Sequence, residues 1–250
     1  MYVVLLTVVG SPLDAAVYRI DSQADFDIYK DAEFRSGDTI VFKRGAVFEG
    51  MFSPGGSGTD NAPICLKTYG TGPMPIINAL GKHAAGIFLK NVEFWEIDGI
   101  EITNTDGTDG DQGTLFGVYV LARDTGKTHR HIHISNCHIH DVNGKVAGKG
   151  RGGIHVRVEG EKPARFHDVR IVGNKIERVG GVGIGNSSPH AKVLFDTEAE
   201  GQRAHYFWTG VYVAGNFVNH TGRNNIIARV SKDAVYEYNT LANSSRYSTG

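Results

Sequence analysis

The chain lacks an excess of charge of either sign. Its 250 residues carry 26 Lys and Arg against 27 Asp and Glu, a formal net charge of −1. A phosphate-tracking nucleic-acid binder or a polybasic membrane-surface protein would be basic, so neither is expected. Cysteine is scarce too, and Cys65 and Cys137 cannot make a disulfide framework. In a stacked-coil fold they would lie about three coils apart, beyond bonding reach at ~4.7–4.9 Å per strand, which predicts two buried free thiols. CxxC and HExxH metal spacings are missing. With 21% charged and 40% hydrophobic residues the composition is that of a folded chain.

Long apolar runs are absent as well. The longest stretch, from Tyr2 to Val9, is too short to span a bilayer. Gly10-Ser11-Pro12 breaks it and the small Ala15-Ala16 follow, the order of a secretion signal over residues 1–16 whose basic n-region is missing. This predicts a secreted, periplasmic or cell-surface protein with one domain over residues 17–250.

Glycine is abundant: 33 residues, about 13% against a typical ~7%. They follow no collagen period and form no linker. They sit between short apolar stretches, where turns need positive φ. Ser22 and Asp25 form a capping-box pair that predicts a helix with a Phe26, Tyr29 and Phe34 stripe, ended by Ser36-Gly37. Asp38 to Lys43 alternates as a strand.

Self-similarity is the decisive feature. One segment type recurs as Phe94–Ile102, His131–Ile139, Val169–Ile176, Val211–Val218 and Val235–Leu241. Its pivots are Gly99, Asn136, Asn174, Asn216 and Asn239, spaced 37, 38, 42 and 23. A second type is interleaved with it, starting at Gly86, Gly117, Gly153, Gly181 and Asn225. Single coils of such short strands cannot bury their apolar face, but stacked coils can. Asn suits a sharp corner and can also hydrogen-bond along the stack. The expected fold is therefore all-β, a right-handed single-stranded parallel β-helix (solenoid) with an N-terminal capping helix. The chain stops nine residues after Leu241, at Gly250. An uncapped solenoid end exposes strand edges, so further coils are expected beyond it.

The pattern resembles the parallel β-helix of the pectate-lyase-like superfamily from about Ser22 onward. Within that superfamily, Ile226–Ser244 resembles the alginate and chondroitin lyases. Ser231, Tyr236, Asn239, Thr240, Leu241 and Ser244 follow the family outline, but Val230 holds the position of the catalytic lysine, with Arg229 and Lys232 on either side. The resemblance implies β-elimination from a uronate, with Lys232 as the base and Arg229 or Arg157 holding the carboxylate. Asn104-Thr105-Asp106 is similar to a polygalacturonase motif, but no Gly-His-Gly follows.

Alternation adds candidate binding residues. With Ile154, Val156, Ile226 and Ala228 inward, His155, Arg157, Ile227 and Arg229 face out, and Gly183 and Gly185 leave a bare rung between them. That trough would seat a polymer between cations. The long loop from Asn186 to Thr209 offers His190, His205, Tyr206 and Trp208, the aromatics as sugar platforms, and Arg223 adds a further cation. His129, His131 and His133 should share one face about 6.6–7 Å apart, too wide to chelate one ion, and so form a solvated face. Asp106, Asp109 and Asp111 sit in a Gly-rich loop suited to Ca²⁺. The expected protein is a monomeric polysaccharide lyase acting on an acidic polysaccharide. A glycoside hydrolase using an Asp or Glu of residues 196–200 is the alternative, as is a non-catalytic carbohydrate-binding or adhesin-like solenoid.

Overall fold

The computed structural model describes residues 15–107, 113–144, 148–191 and 206–245. Strand β1 (Val17–Ile20) and helix α1 (Gln23–Tyr29) lead into stacked coils. These are β2 (Thr39–Lys43) and β3 (Val47–Glu49); β4 (Ile64–Tyr69), β5 (Ile76–Asn78) and β6 (Ala85–Lys90); β7 (Trp95–Asp98), β8 (Glu101–Asn104) and β9 (Phe116–Arg123). They continue as β10 (Thr128–Ser135), β11 (His138–Val142) and β12 (Gly152–Glu159); β13 (Arg165–Val172), β14 (Lys175–Val179) and β15 (Val182–Ser187). The last are β16 (Thr209–Ala214), β17 (Phe217–Thr221) and β18 (Asn224–Ile227), then β19 (Val235–Glu237) and β20 (Thr240–Ala242). The complete coils, from β4 to β18, give one strand to each of three parallel sheets, of eight, seven and five strands in all. The fold is a β-helix-like parallel solenoid.

The core is a set of vertical columns. Register stacks Trp95, Ile132, Val169 and Val211 in the first sheet. It stacks Ile77, Ile102, Ile139, Ile176 and Val218 in the second, and Ile87, Val118, Ile154 and Ile184 in the third. All are buried, each Val or Ile contributing roughly 1.5–3 kcal/mol. Gly86, Gly117, Gly153 and Gly183 run beside the second column. A Cβ on Gly86, Gly117 or Gly183 would come within 2.3 Å of Ile102, Ile139 or Val218 respectively, so these glycines permit two sheets to meet at a corner.

Several expectations change here. Ser22 caps α1 and the capping box with Asp25 is present, but the helix ends at Tyr29 rather than Ser36. Phe26 still packs on Phe42, Phe48 and Phe52. Cys65 and Cys137 are free and buried. Their first-sheet levels are two coils apart, not three, with only β7 between β4 and β10. The asparagine pivots mix two levels. Left-handed corners fall at Gly99, Asn136, Gly173, Gly215 and Tyr238. Asn174, Asn216 and Asn239 lie one residue later, and Asn174 and Asn216 are almost fully buried. There the amide of Asn174 donates to Asn216 at 3.0 Å and that of Asn216 to Asn239 at 2.9 Å. Of the segment 1–16 that reads as a signal, residues 1–14 lie outside the described residues. Among the described residues no helix is long and apolar enough to cross a membrane.

Candidate active site

A second left-handed column shapes the outer face of the first sheet. Phe94, His131, Asp168, Gly210 and Asp233 all have φ between 54° and 64°. Ladder pairing passes from Arg130↔His167 to Ile132↔Val169 without a change of register, and His131 and Asp168 face each other between them as bulge-like left-handed kinks. Such a kink re-aims the side chains on one side of it. This one reverses the parity before it. His129 therefore points inward and is fully buried, bonding Val92 O and Thr125. His131 and His133 remain outside with ring centroids 3.7 Å apart. The expectation of three evenly spaced, solvated histidines is thus corrected, because it assumed unbroken alternation.

A groove of about 630 Å³ follows the kink column. Phe94, Arg130, His131, Asp168, Gly210, Tyr212 and Asp233 are among its lining residues. Asp168 is the most heavily bonded of these. Its Oδ2 meets His133 Nε2 at 2.9 Å and His131 Nδ1 at 3.1 Å, and its Oδ1 accepts from Arg170 Nε at 2.8 Å. Burial pushes its carboxyl up, but Arg170 and His133 outweigh that and hold it below the usual range, so it is ionised at neutral pH. Burial likewise lowers the His133 imidazole, against the pull of Asp168. Glu96 Oε1 closes the other side, 3.0 Å from His131 Nε2 and 4.0 Å from His133 Nδ1.

The second sheet carries a similar group that serves differently. His138 meets Glu177 at 3.0 Å and His140 meets Glu101 at 3.0 Å. Arg178 bonds Asp141 and Glu177, and Lys175 bonds Glu177. Arg178 holds Asp141 down at about 2. Burial pushes Glu177 up, yet Lys175, His138 and Arg178 bring it to about 2. This is an ion-pair network on the solvent face.

The trough foreseen on the third sheet is closed. His155 is only 2% exposed, packs on Phe116 and lies over Gly185. Gly183 points at Val218 rather than solvent, and Ala228 is exposed, not inward, because β18 ends at Ile227. Arg157 and Arg229 do line one cavity, of about 470 Å³. In it Arg157 is paired with Glu159 at 3.1 Å and Ser187 at 3.1 Å. Lys232 lies exposed outside that cavity, its N–H on Trp208 O. Trp208 is 1% exposed against Phe166 and cannot be a sugar platform. Tyr206 is half-buried with His190, which bonds Gly160 O. Arg223 sits in the turn between β17 and β18. His205, Asp109, Asp111 and the acids of 196–200 lie outside the described residues, and Asp106 accepts from Asn143.

Glu96, Asp168 and Asp233 were missed in the sequence, as was the role of Gly210. A signal existed. His131, Asp168 and Gly210 each stand one residue before the first apolar position of a repeat, and Asp233 stands two before Val235.

The fold and groove define a three-sheet parallel solenoid with a carboxylate-lined cleft. Among solved structures the chain is similar to the GH136 lacto-N-biosidase of Eubacterium ramulus, as the selenomethionine derivative (TM-score 0.71, 22% identity) and as the native protein (0.69, 22%). These alignments cover 84% and 83% of this chain and 42% of each biosidase chain, so the chain spans less than half their length. An alginate lyase from Paenibacillus sp. str. FPU-7 aligns at TM-score 0.45 and 14% identity, over 84% of this chain and 74% of that one. No family model and no curated protein matches the chain. The resemblance to the pectate-lyase-like superfamily and its alginate and chondroitin lyases is therefore corrected. The stronger likeness, of fold alone, is to the biosidase.

Proposed function

We propose that the protein is a carbohydrate-active enzyme that hydrolyses glycosidic bonds in the groove of the first sheet. The observation that carries this reading is the order Asp168, Gly210, Asp233 along the kink column. Strands two rungs apart set their Cα atoms about 9–10 Å apart, near the upper end of the ~6.5–9.5 Å between carboxyl groups of inverting glycosidases. Gly210 leaves the middle rung bare, so a sugar ring can lie against backbone between the two acids. Asp168, ionised and held by three partners, is the base that activates water; Asp233 is the acid. Phe94 and Tyr212 offer ring faces, and Arg130 and Arg170 suit a substrate bearing carboxylates, which keeps an acidic polysaccharide in view. The coils would wind right-handed, as parallel crossovers almost always do. That a glycoside hydrolase, the biosidase, is built on this fold supports the reading.

The test is incubation with neutral oligosaccharides and with alginate, pectate and chondroitin. Reducing ends should accumulate without the ultraviolet absorbance of an unsaturated uronate. Rising absorbance would replace hydrolysis by β-elimination. Retention of a glycan on the protein with neither signal would leave a binding solenoid.

A further inference from the structure

We propose a divalent transition-metal site, of the kind zinc occupies, formed by Glu96, His131 and His133 beside the groove. Glu96 Oε1 lies 3.0 Å from His131 Nε2 and 4.0 Å from His133 Nδ1. One ligand atom from each of the three residues falls within 4.8 Å of the others. A tetrahedral ion with bonds of about 2.0–2.1 Å keeps its ligands about 3.3–3.4 Å apart, so these distances bracket what such an ion needs. The opposite nitrogens, His131 Nδ1 and His133 Nε2, both face Asp168 Oδ2, at 3.1 and 2.9 Å. A carboxylate accepting the far N–H of metal-bound imidazoles is the usual outer support of a histidine site. Here one carboxylate serves two rings, and Arg170 fixes its other oxygen. The Cys65 thiol sits 3.7 Å from Glu96 Oε2, which leaves Oε1 to the rings.

Side-chain exposures of 18% and 20% for the histidines and 34% for Glu96 leave an entry path and an open coordination position. The similar trio on the second sheet, Glu101, His138 and His140, is less suited. There the carboxylates behind the rings, Glu177 on His138 and Asp141 on His140, are also paired with Lys175 and Arg178, which sets cationic side chains around the imidazoles.

The test is titration of the metal-free protein with Zn²⁺ against a competing chromophoric chelator, and with Co²⁺ followed by its visible bands. Neither needs a substrate, so the outcome is independent of the hydrolase reading. One ion per chain should bind, with the intense bands of a tetrahedral cobalt centre. His131→Asn, His133→Asn and Glu96→Gln should each weaken binding at least ~10-fold, and Asp168→Asn ~10–100-fold. The double variant His138→Asn/His140→Asn should bind as the parent does. Circular dichroism melts establish that each variant is folded, and the milder His131→Gln stands in for any that is not. Absence of stoichiometric binding overturns the proposal. So does loss of binding only in the His138/His140 variant, or equal losses in both sets.

Discussion

The imidazole of His155 lies over Gly185, so close that a Cβ on the glycine would meet its Cε1 at 2.7 Å. Burial pushes this histidine down to about 3 from its ordinary 6.5. It is therefore neutral in the folded protein while the unfolded chain takes up a proton below about 6.5. Its contribution to stability is full above that pH and falls as pH drops toward 3, by up to about 1.4 kcal/mol per unit. Buried His129 is also lowered and adds to the same limb. Asp141 and Glu177, with ordinary values of 3.8 and 4.5, act only at lower pH. We predict that His155→Phe, which can pack on Phe116 without a proton, reduces the loss of stability between pH about 6 and about 5. Urea melts at both values check it. An unchanged slope would show that His155 does not titrate as the packing implies.

The catalytic reading makes a sharper demand. Asp168→Asn and Asp233→Asn should each lower kcat by roughly 10²–10⁴, the usual weight of a general acid or base. Asp233 is exposed, so its variant should melt with the parent, and a parent-like KM would place the loss in the chemical step. His140→Asn, on the second sheet, should leave kcat unchanged. Parent-like kcat in either aspartate variant removes the assignment.

Most of the architecture was legible in the sequence, because a stacked solenoid repeats its burial pattern in every coil. Ile139, Ile176 and Val218 could be matched by eye, and they do stack. What failed was parity. A left-handed residue within a strand, such as His131, shifts the side chains before it to the other face. His129 thus became core where alternation made it solvent-facing. The trough failed for a different reason. Gly183 and Gly185 were read as space, but Gly183 admits Val218 and Gly185 admits His155. Which neighbour fills the room over a glycine is a tertiary fact that one strand's pattern does not carry.

The glycine column gives a prediction from sterics alone. A Cβ on Gly153 would come 2.4 Å from Gly183 O and 2.7 Å from Ile176 Cγ2. The carbonyl belongs to the next coil's ladder and cannot swing away. Gly153→Ala should therefore cost about 3 kcal/mol or more, or prevent folding, as overpacking against backbone does. Gly126 has φ +66° but open space around it, so Gly126→Ala should cost only about 1 kcal/mol. Thermal melts rank the two, and equal losses would mean that the coils spread more easily than their packing implies.

The asparagine ladder separates two residues that the sequence made look alike. Asn136 and Asn216 both follow an apolar alternation, yet only Asn136 holds a left-handed corner. Asn136 is exposed, its amide donates to half-buried Asp98, and glycine adopts that backbone more readily. Asn136→Gly should thus change stability by less than about 1 kcal/mol. Asn216 is 1% exposed and bonds on every side. Its Oδ1 accepts from the backbone and side chain of Asn174, and its Nδ2 donates to Ile171 O and Asn239 Oδ1. Asn216→Ala leaves those partners buried without hydrogen bonds, which should cost about 2–4 kcal/mol. Asn216→Asp keeps the shape but sets an acceptor against two acceptors, so it should cost more than alanine at neutral pH and regain part of the loss in acid, where protonation restores a donor. Chemical denaturation of the three variants at two pH values tests the order. If Asp proves milder than Ala at neutral pH, the ladder is held by packing rather than by its hydrogen bonds.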